Sequence, residues 1–229
     1  MDITDLELFT DRGGVFTLPP SDFLSRAQQI KCIIFDWDGV FNSGVKGDGV
    51  FSNFSEVDSM GLNILRFGSK IISNDILIAG IISGENNPST EKFVNREHLN
   101  FKCLGFKNKT EGLSRVLNKY GLTPEQTAFV FDDILDLSVA KVCGLRFKIA
   151  RNATPMFNKY VEHNHLADYI TANVGSEFAV REVCELLLAA IGVYNKAVDS
   201  RIAFDADYAN YIAERNSIEP ITFTPKTTY

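Results

Sequence analysis

Asp36 and Asp38 follow directly on the apolar run Ile33-Ile34-Phe35, with Trp37 between them and Gly39 after. Strand side chains alternate faces, so acids two residues apart share a side, here where a strand should end and the chain turn. Three further groups of chemically capable residues follow in order. The continuous apolar run from Ile76 to Ile82 ends in Ser83-Gly84, a hydroxyl and a flexible backbone suited to a phosphate oxygen. Lys109 precedes the helical pattern Leu113, Val116, Leu117, Tyr120. The run Ala128-Phe129-Val130-Phe131 breaks into Asp132, Asp133 and, three residues on, Asp136. Taken singly, each has an ordinary reading: an acidic surface turn, a Ser-Gly turn, a solvated lysine.

Together they make a physical argument. If the strands beginning at residues 31 and 127 lie side by side and parallel, Asp36, Asp38, Asp132 and Asp133 converge on one crevice, where open α/β sheets bind ligands. Two carboxylates about 4 Å apart repel by roughly 4 kcal/mol at an effective dielectric near 20. Such a cluster calls for a hard divalent cation, and oxygen-only ligation completed by water and phosphate suits Mg2+. Zinc fits poorly, because His98, His163 and His165 show no ligand spacing with cysteine or with one another.

The elements that must position these residues alternate strand and helix. Strands are expected at about residues 31–36, 76–82, 101–104, 127–131 and 145–149, and helices at about 59–72, 88–98, 109–120, 134–143 and 178–194. This rhythm predicts an α/β fold, a parallel sheet with helices on both faces. Between Gly44 and Asp58, Gly47-Asp48-Gly49 sits among residues of high strand propensity and predicts a β-hairpin insert after the first strand, with Phe51 and Phe54 as exposed, adhesive aromatics. The interval is too short for a cap domain. Pro19-Pro20-Ser21-Asp22 looks like the entry to a short helix. Asp205-Ala206-Asp207 follows no buried-strand run and reads as part of a helix, and the Thr-rich segment from Pro220 reads as loose. The chain divides into an N-terminal extension (1–30), a catalytic-type domain (31–195) and a C-terminal helical extension with tail (196–229).

Composition excludes several classes. The 229 residues suit one domain with extensions, and 45% hydrophobic content allows a substantial core. A net charge of −6 with no Lys/Arg run argues against a nucleic-acid partner. No apolar stretch reaches membrane-spanning length, and Met1-Asp2-Ile3-Thr4-Asp5 is the wrong start for a signal peptide. Cys32, Cys103, Cys143 and Cys184 are widely spaced, as buried free thiols would be, so the expected location is cytoplasmic.

Asp36-x-Asp38, Ser83, Lys109 and Asp132-Asp133-x-x-Asp136 resemble, in order and context, the four motifs of the haloacid dehalogenase (HAD) superfamily. The nearer resemblance is to its cap-less branch of 3-deoxy-D-manno-octulosonate 8-phosphate phosphatases. It is carried by Asp36-Trp37-Asp38-Gly39-Val40-Phe41-Asn42-Ser43-Gly44, Asp58-Ser59-Met60-Gly61-Leu62, Asn108-Lys109 and the A-V-R-E-V-C-E run starting at Ala179. It spans about residues 31–193. It implies a Rossmann-like core with no cap domain and a homotetramer whose hairpins pack together while a neighbour walls the site. It also implies Mg2+ held by the Asp36 carboxylate, the Asp38 carbonyl and Asp132, with Asp133 on metal waters. By the same resemblance Asp36 is the nucleophile, forming an aspartyl-phosphate, and Asp38 the acid/base. Ser83, beside Gly84, and Lys109 bind the phosphoryl oxygens, and Asp136 orients Lys109.

The departures fall around that core. Phe131 stands where the family often has glycine, just before the metal acids. Val57 replaces an arginine, Glu85-Asn86 replaces Arg-Lys, and Gly175-Ser176-Glu177-Phe178 replaces a Gly-Gly-x-Gly. The leading expectation is a Mg-dependent phosphomonoesterase (class EC 3.1.3) for a small sugar or sugar-acid phosphate, for which the octulosonate phosphate itself is a poor substrate. The alternative is a catalytically weak phosphosugar-binding or regulatory partner of a nucleotide-sugar pathway enzyme.

Overall fold

The computed structural model describes residues 4–50 and 52–226. Its strands are β1 Val15–Phe16, β2 Cys32–Phe35, β3 Ile78–Ser83, β4 Phe101–Leu104, β5 Thr127–Phe131, β6 Leu145–Lys148, β7 Tyr169–Ile170 and β8 Ile221–Phe223. The helices are α1 Thr4–Asp11, α2 Pro20–Ala27, α3 Glu56–Ser73, α4 Pro88–Arg96, α5 Lys109–Tyr120, α6 Leu137–Ala140, α7 Pro155–His163, α8 Ala179–Ala190, α9 Tyr194–Ala203 and α10 Ala206–Asn216. Among the described residues the strands form one sheet in the order β1-β7-β6-β5-β2-β3-β4-β8, parallel except for the β1–β7 pair.

β2 and β5 are buried along their whole length, which is why they read as unbroken apolar runs rather than alternating ones. Their side chains still alternate between two cores. Ile33, Phe35, Ala128 and Val130 join α3 and α8 on one face, while Cys32, Ile34, Phe129 and Phe131 pack with α5, α6 and α7 on the other. The α3–α8 contact is close because Gly61 and Gly68 lack side chains: a Cβ at Gly61 would meet Arg181 Cδ at 2.8 Å. The motif residues Asp58 and Glu182 also serve architecture. Asp58 Oδ1 accepts from the Arg181 backbone N–H (2.9 Å), and Glu182 accepts from Tyr169 Oη and the Ala172 N–H (2.7 Å each).

Both termini contribute edges. β1 pairs with β7, and β8 adds to β4 with Phe101 opposite Ile221. The segment expected to be loose is therefore a strand as far as Phe223, which is buried. Without β8, the edge of β4 would present unpaired backbone groups, a need that local sequence cannot reveal. Asp205 caps α10 by accepting from the Tyr208 N–H (3.0 Å), so the second acid pair is helical, as expected.

The hairpin expected over residues 45–57 is not formed among the described residues. A turn closes at Gly47, whose carbonyl accepts from the Val50 N–H (3.1 Å), but no ladder extends from it. A lone two-stranded ribbon is marginal in water. Phe54, moreover, packs inward on Phe93 and Trp37 (ring centroids 4.9 and 6.3 Å) rather than facing solvent. Phe51 lies outside the described residues. The helix expected at 134–143 is shorter and broken, a 3-10 turn over Ile134–Asp136 leading into α6.

Candidate active site

β2 is the point where strand order reverses, with β3 on one side and β5 on the other. The in-register pairs Phe35–Ile81 and Phe35–Val130 bring the three strand ends level, so Asp36, Ser83 and Asp132 emerge at one edge. The Asp36 N–H still bonds to Val130 O (2.9 Å), which ties the first acid to the neighbouring strand. Trp37, fully buried against Phe41 and Phe93, anchors the turn from beneath. Gly39 then takes φ +89°, a conformation that suits glycine. Asn42 Oδ1 closes the loop by accepting from the Gly44 N–H (2.8 Å). Gly175 backs it: a Cβ there would overlap Gly39 O and lie 2.7 Å from Asn42 O.

A cavity of about 410 Å3 opens over these ends, lined by Asp36, Asp38, Ser83, Gly84, Lys109, Asp132, Asp133 and Asp136 among others. Every site residue expected from sequence reaches this one pocket. Lys109, the first residue of α5 and nearly inaccessible, donates to Asp36 Oδ1 and Asp136 Oδ1, both at 2.5 Å. Asp136 Oδ2 accepts from the Asp133 N–H (3.2 Å) and the Asp132 N–H (3.4 Å), so Asp136 is fully engaged as an anchor. Asp133 Oδ1 caps the 3-10 turn by accepting from the Ile134 N–H (2.7 Å). Ser83 Oγ accepts from the Glu85 N–H (3.2 Å). Asp38 Oδ2 meets Lys46 Nζ at 3.1 Å, whereas its Oδ1 is buried with no hydrogen-bond partner.

Oxygens of Asp36, Asp132 and Asp136 lie within 4.8 Å of one another, close enough to share one cation. Burial and mutual repulsion act together on this cluster. Burial and the charge of Asp136 push Asp36 up to about 7, against the pull of Lys109. Burial, Asp36 and Asp136 push Asp132 up to about 8, with Arg151 opposing. Burial works against the Lys109 charge, but Asp36 and Asp136 outweigh it and hold its pKa above the ordinary lysine value. Lys109 on one side and Arg151 on the other are the cations that these three carboxylates meet.

Four cations near the site carried no sequence expectation. Arg151 pairs with Asp132, Lys46 with Asp38, and Lys107 lines the pocket. Lys148, the last residue of β6, is buried beneath, its Nζ donating to Ile149 O (3.2 Å) over the Phe157 ring. Arg151 follows the carboxyl end of β6, so the strand-end rule that singled out Asp36 applies to it too. Of the departures, Phe131 stacks on Phe129 (5.8 Å) in the far core and stays out of the pocket. Glu85 lines the pocket, but Lys46 Nζ lies 3.9 Å from it. Val57 sits in the first turn of α3, away from the lining.

Comparison with known proteins places this arrangement. No protein-family model matches the chain. It is 32% identical over 180 residues to 3-deoxy-D-manno-octulosonate 8-phosphate phosphatase of Escherichia coli K12, covering 77% of this chain and 89% of that one. Among solved structures, a probable YrbI-family phosphatase from Pseudomonas syringae superposes with a TM-score of 0.67 at 30% identity, over 80% of this chain and 98% of that one. The cobalt-bound octulosonate phosphate phosphatase from Haemophilus influenzae gives 0.61 at 26% identity, over 73% and 92%. The chain belongs to the haloacid dehalogenase superfamily. Within it, the chain is a phosphomonoesterase.

Proposed function

We propose that the protein is a Mg2+-dependent phosphatase for a small sugar or sugar-acid phosphate, working through an aspartyl-phosphate on Asp36. The observation that carries this reading is the convergence of Asp36, Lys109 and Asp132 on one pocket beside Ser83. Asp36 Oδ1 is bonded to Lys109, which favours the ionised form that a nucleophile needs. Asp36 attacks phosphorus in line, and the leaving alkoxide takes a proton from Asp38. Asp38 then takes the proton of the water that cleaves the aspartyl-phosphate. The unpaired Asp38 Oδ1 supports this role, since a buried polar atom without a partner is one that substrate or water can satisfy. Ser83 and Lys109 hold phosphoryl oxygens, where positioning and charge dominate.

The oxygen-only donor set fits a hard cation, and Asp36, Asp132 and the Asp38 carbonyl would hold it, with Asp133 supporting its waters. Asp136 already spends both oxygens on Lys109 and backbone N–H groups. The bound ion would offset charge between phosphate and carboxylates. Turnover of an aryl phosphate that survives exhaustive chelation would refute the metal assignment. Asp36→Asn is expected to abolish turnover while leaving the melting curve cooperative, and wild-type rates in that variant would refute the nucleophile.

Exposed Leu135 on the pocket lining, with exposed Val45 and Ile134 next in sequence to lining residues, supports a homotetramer in which a neighbour walls the mouth. Light scattering showing only monomer at micromolar concentration would count against it. No helix of the described residues is long and apolar enough to cross a membrane, and the four cysteines are free and buried, which favours the cytoplasm. We treat residues 31–195 as the catalytic unit, with 1–30 and 196–229 as extensions that complete its sheet.

A further inference from the structure

The acid cluster carries its own cations. Lys109 serves Asp36 and Asp136, and on the opposite side Arg151 lays its guanidinium on Asp132 Oδ2. This second pair has a prepared place. A Cβ at Gly39 would overlap that Asp132 oxygen and lie 2.5 Å from Arg151 Nη2, so the missing side chain makes room for both. The backbone of Arg151 is pinned, its carbonyl accepting from Asn158 Nδ2 (3.1 Å) and Thr154 Oγ1 (3.3 Å). Its side chain, by contrast, is about a third exposed and lines the pocket. The base is therefore fixed and the guanidinium can swing.

Asp132 is almost wholly buried, so whatever cation serves it must come from within the pocket. A guanidinium and a divalent ion on one carboxylate repel each other, and Lys148 beneath adds to the positive field on Asp132. We propose that Arg151 is an internal counter-ion that competes with the divalent cation for Asp132 and, once displaced, becomes a ligand for an anionic oxygen of the substrate. The planar guanidinium matches phosphate and carboxylate oxygens two at a time. The role deepens the metal-dependent reading above and rests on it. It also gives the chain an anion-binding group on the β6 side of the pocket, away from the positions where Val57 and Glu85 replace cations.

Calorimetric Mg2+ titration of the metal-free full chain tests the competition, with Arg151→Gln and Arg151→Lys compared to wild type. Trp37, between the two first acids, gives an independent fluorescence signal. Arg151→Gln is expected to bind Mg2+ about tenfold more tightly, equivalent to about 1.4 kcal/mol, with Arg151→Lys close to wild type. Inorganic phosphate titrated at saturating Mg2+ should then bind about tenfold more weakly to Arg151→Gln. Unchanged or weaker Mg2+ binding by a folded Arg151→Gln would overturn the competition, and unchanged phosphate affinity would overturn the ligand role. Failure of wild type itself to bind Mg2+ would overturn the metal reading along with this one, whereas normal wild-type binding with an indifferent variant overturns this one alone.

Discussion

Replacing Lys109 by methionine keeps length and flexibility but deletes the charge that two buried carboxylates share. Lys109 Nζ lies 2.5 Å from both Asp36 and Asp136, and all three side chains are at most one-tenth exposed. Removing one member of a buried, hydrogen-bonded ion pair typically costs about 3–5 kcal/mol, because the remaining charge is left uncompensated. Here two are left, and carboxylates about 4 Å apart add roughly 4 kcal/mol of repulsion at an effective dielectric near 20 if both stay ionised. Proton uptake caps that cost. The loss in Lys109→Met is therefore expected to be about 3–5 kcal/mol near pH 8 and distinctly smaller near pH 5.5. At the lower pH the cluster is already partly protonated in the wild type, where burial holds Asp36 near 7. Lys109 does not titrate within this range, since its pKa is raised and its contribution is lost only at more alkaline pH. Urea unfolding in the presence of a chelator at the two pH values measures it. Adding Asp136→Asn should restore part of the loss. A cost below about 1 kcal/mol, or one identical at both pH values, would show that Lys109 is not the counter-ion of the cluster.

The raised values of Asp36 and Asp132 mean that the folded state binds extra protons between about pH 4 and the values near 7 and 8. Metal-free protein should accordingly lose stability as pH rises through that window; thermal melts should show the slope, and Asp36→Asn/Asp132→Asn should flatten it. Gly175→Ala places a methyl group against the backbone carbonyls of Gly39 and Asn42. It is expected to cost about 1–3 kcal/mol and to weaken Mg2+ binding by shifting the Asp38 loop, with unfolding and metal titration as the readouts; unchanged values in both would mean that the loop does not depend on that contact. With Glu85 on the pocket lining where a cation was expected, 3-deoxy-octulosonate 8-phosphate should show a lower kcat/KM than neutral sugar phosphates across a substrate panel. An octulosonate value at the top of the panel would mean that Lys46 and Arg151 replace the missing charges.

The acids at the ends of β2 and β5 and the Ser83 turn were legible from sequence because each follows an apolar run that fits a buried strand, and Lys109 because it opens a helical pattern. That is local information, and the alternation of strands and helices predicts a parallel sheet, while the order of strands within it comes from the structure. The specific runs at Asp58 and Ala179 were legible too, although the structure shows them holding α3 to α8 rather than lining the pocket. What sequence left open depends on partners distant along the chain. Phe131 stays off the pocket lining because its strand face turns it toward Phe129, and Phe54 is inward because Trp37 and Phe93 are there to receive it. β8 forms by covering the edge that β4 would otherwise leave unpaired, and the short strand carries too few residues to announce itself. Lys46 entered the site only through folding, whereas Arg151 stands just past a strand end and could have been singled out by the same rule as Asp36. The local pattern determined which groups could do chemistry; packing across the sheet decided which charges they meet.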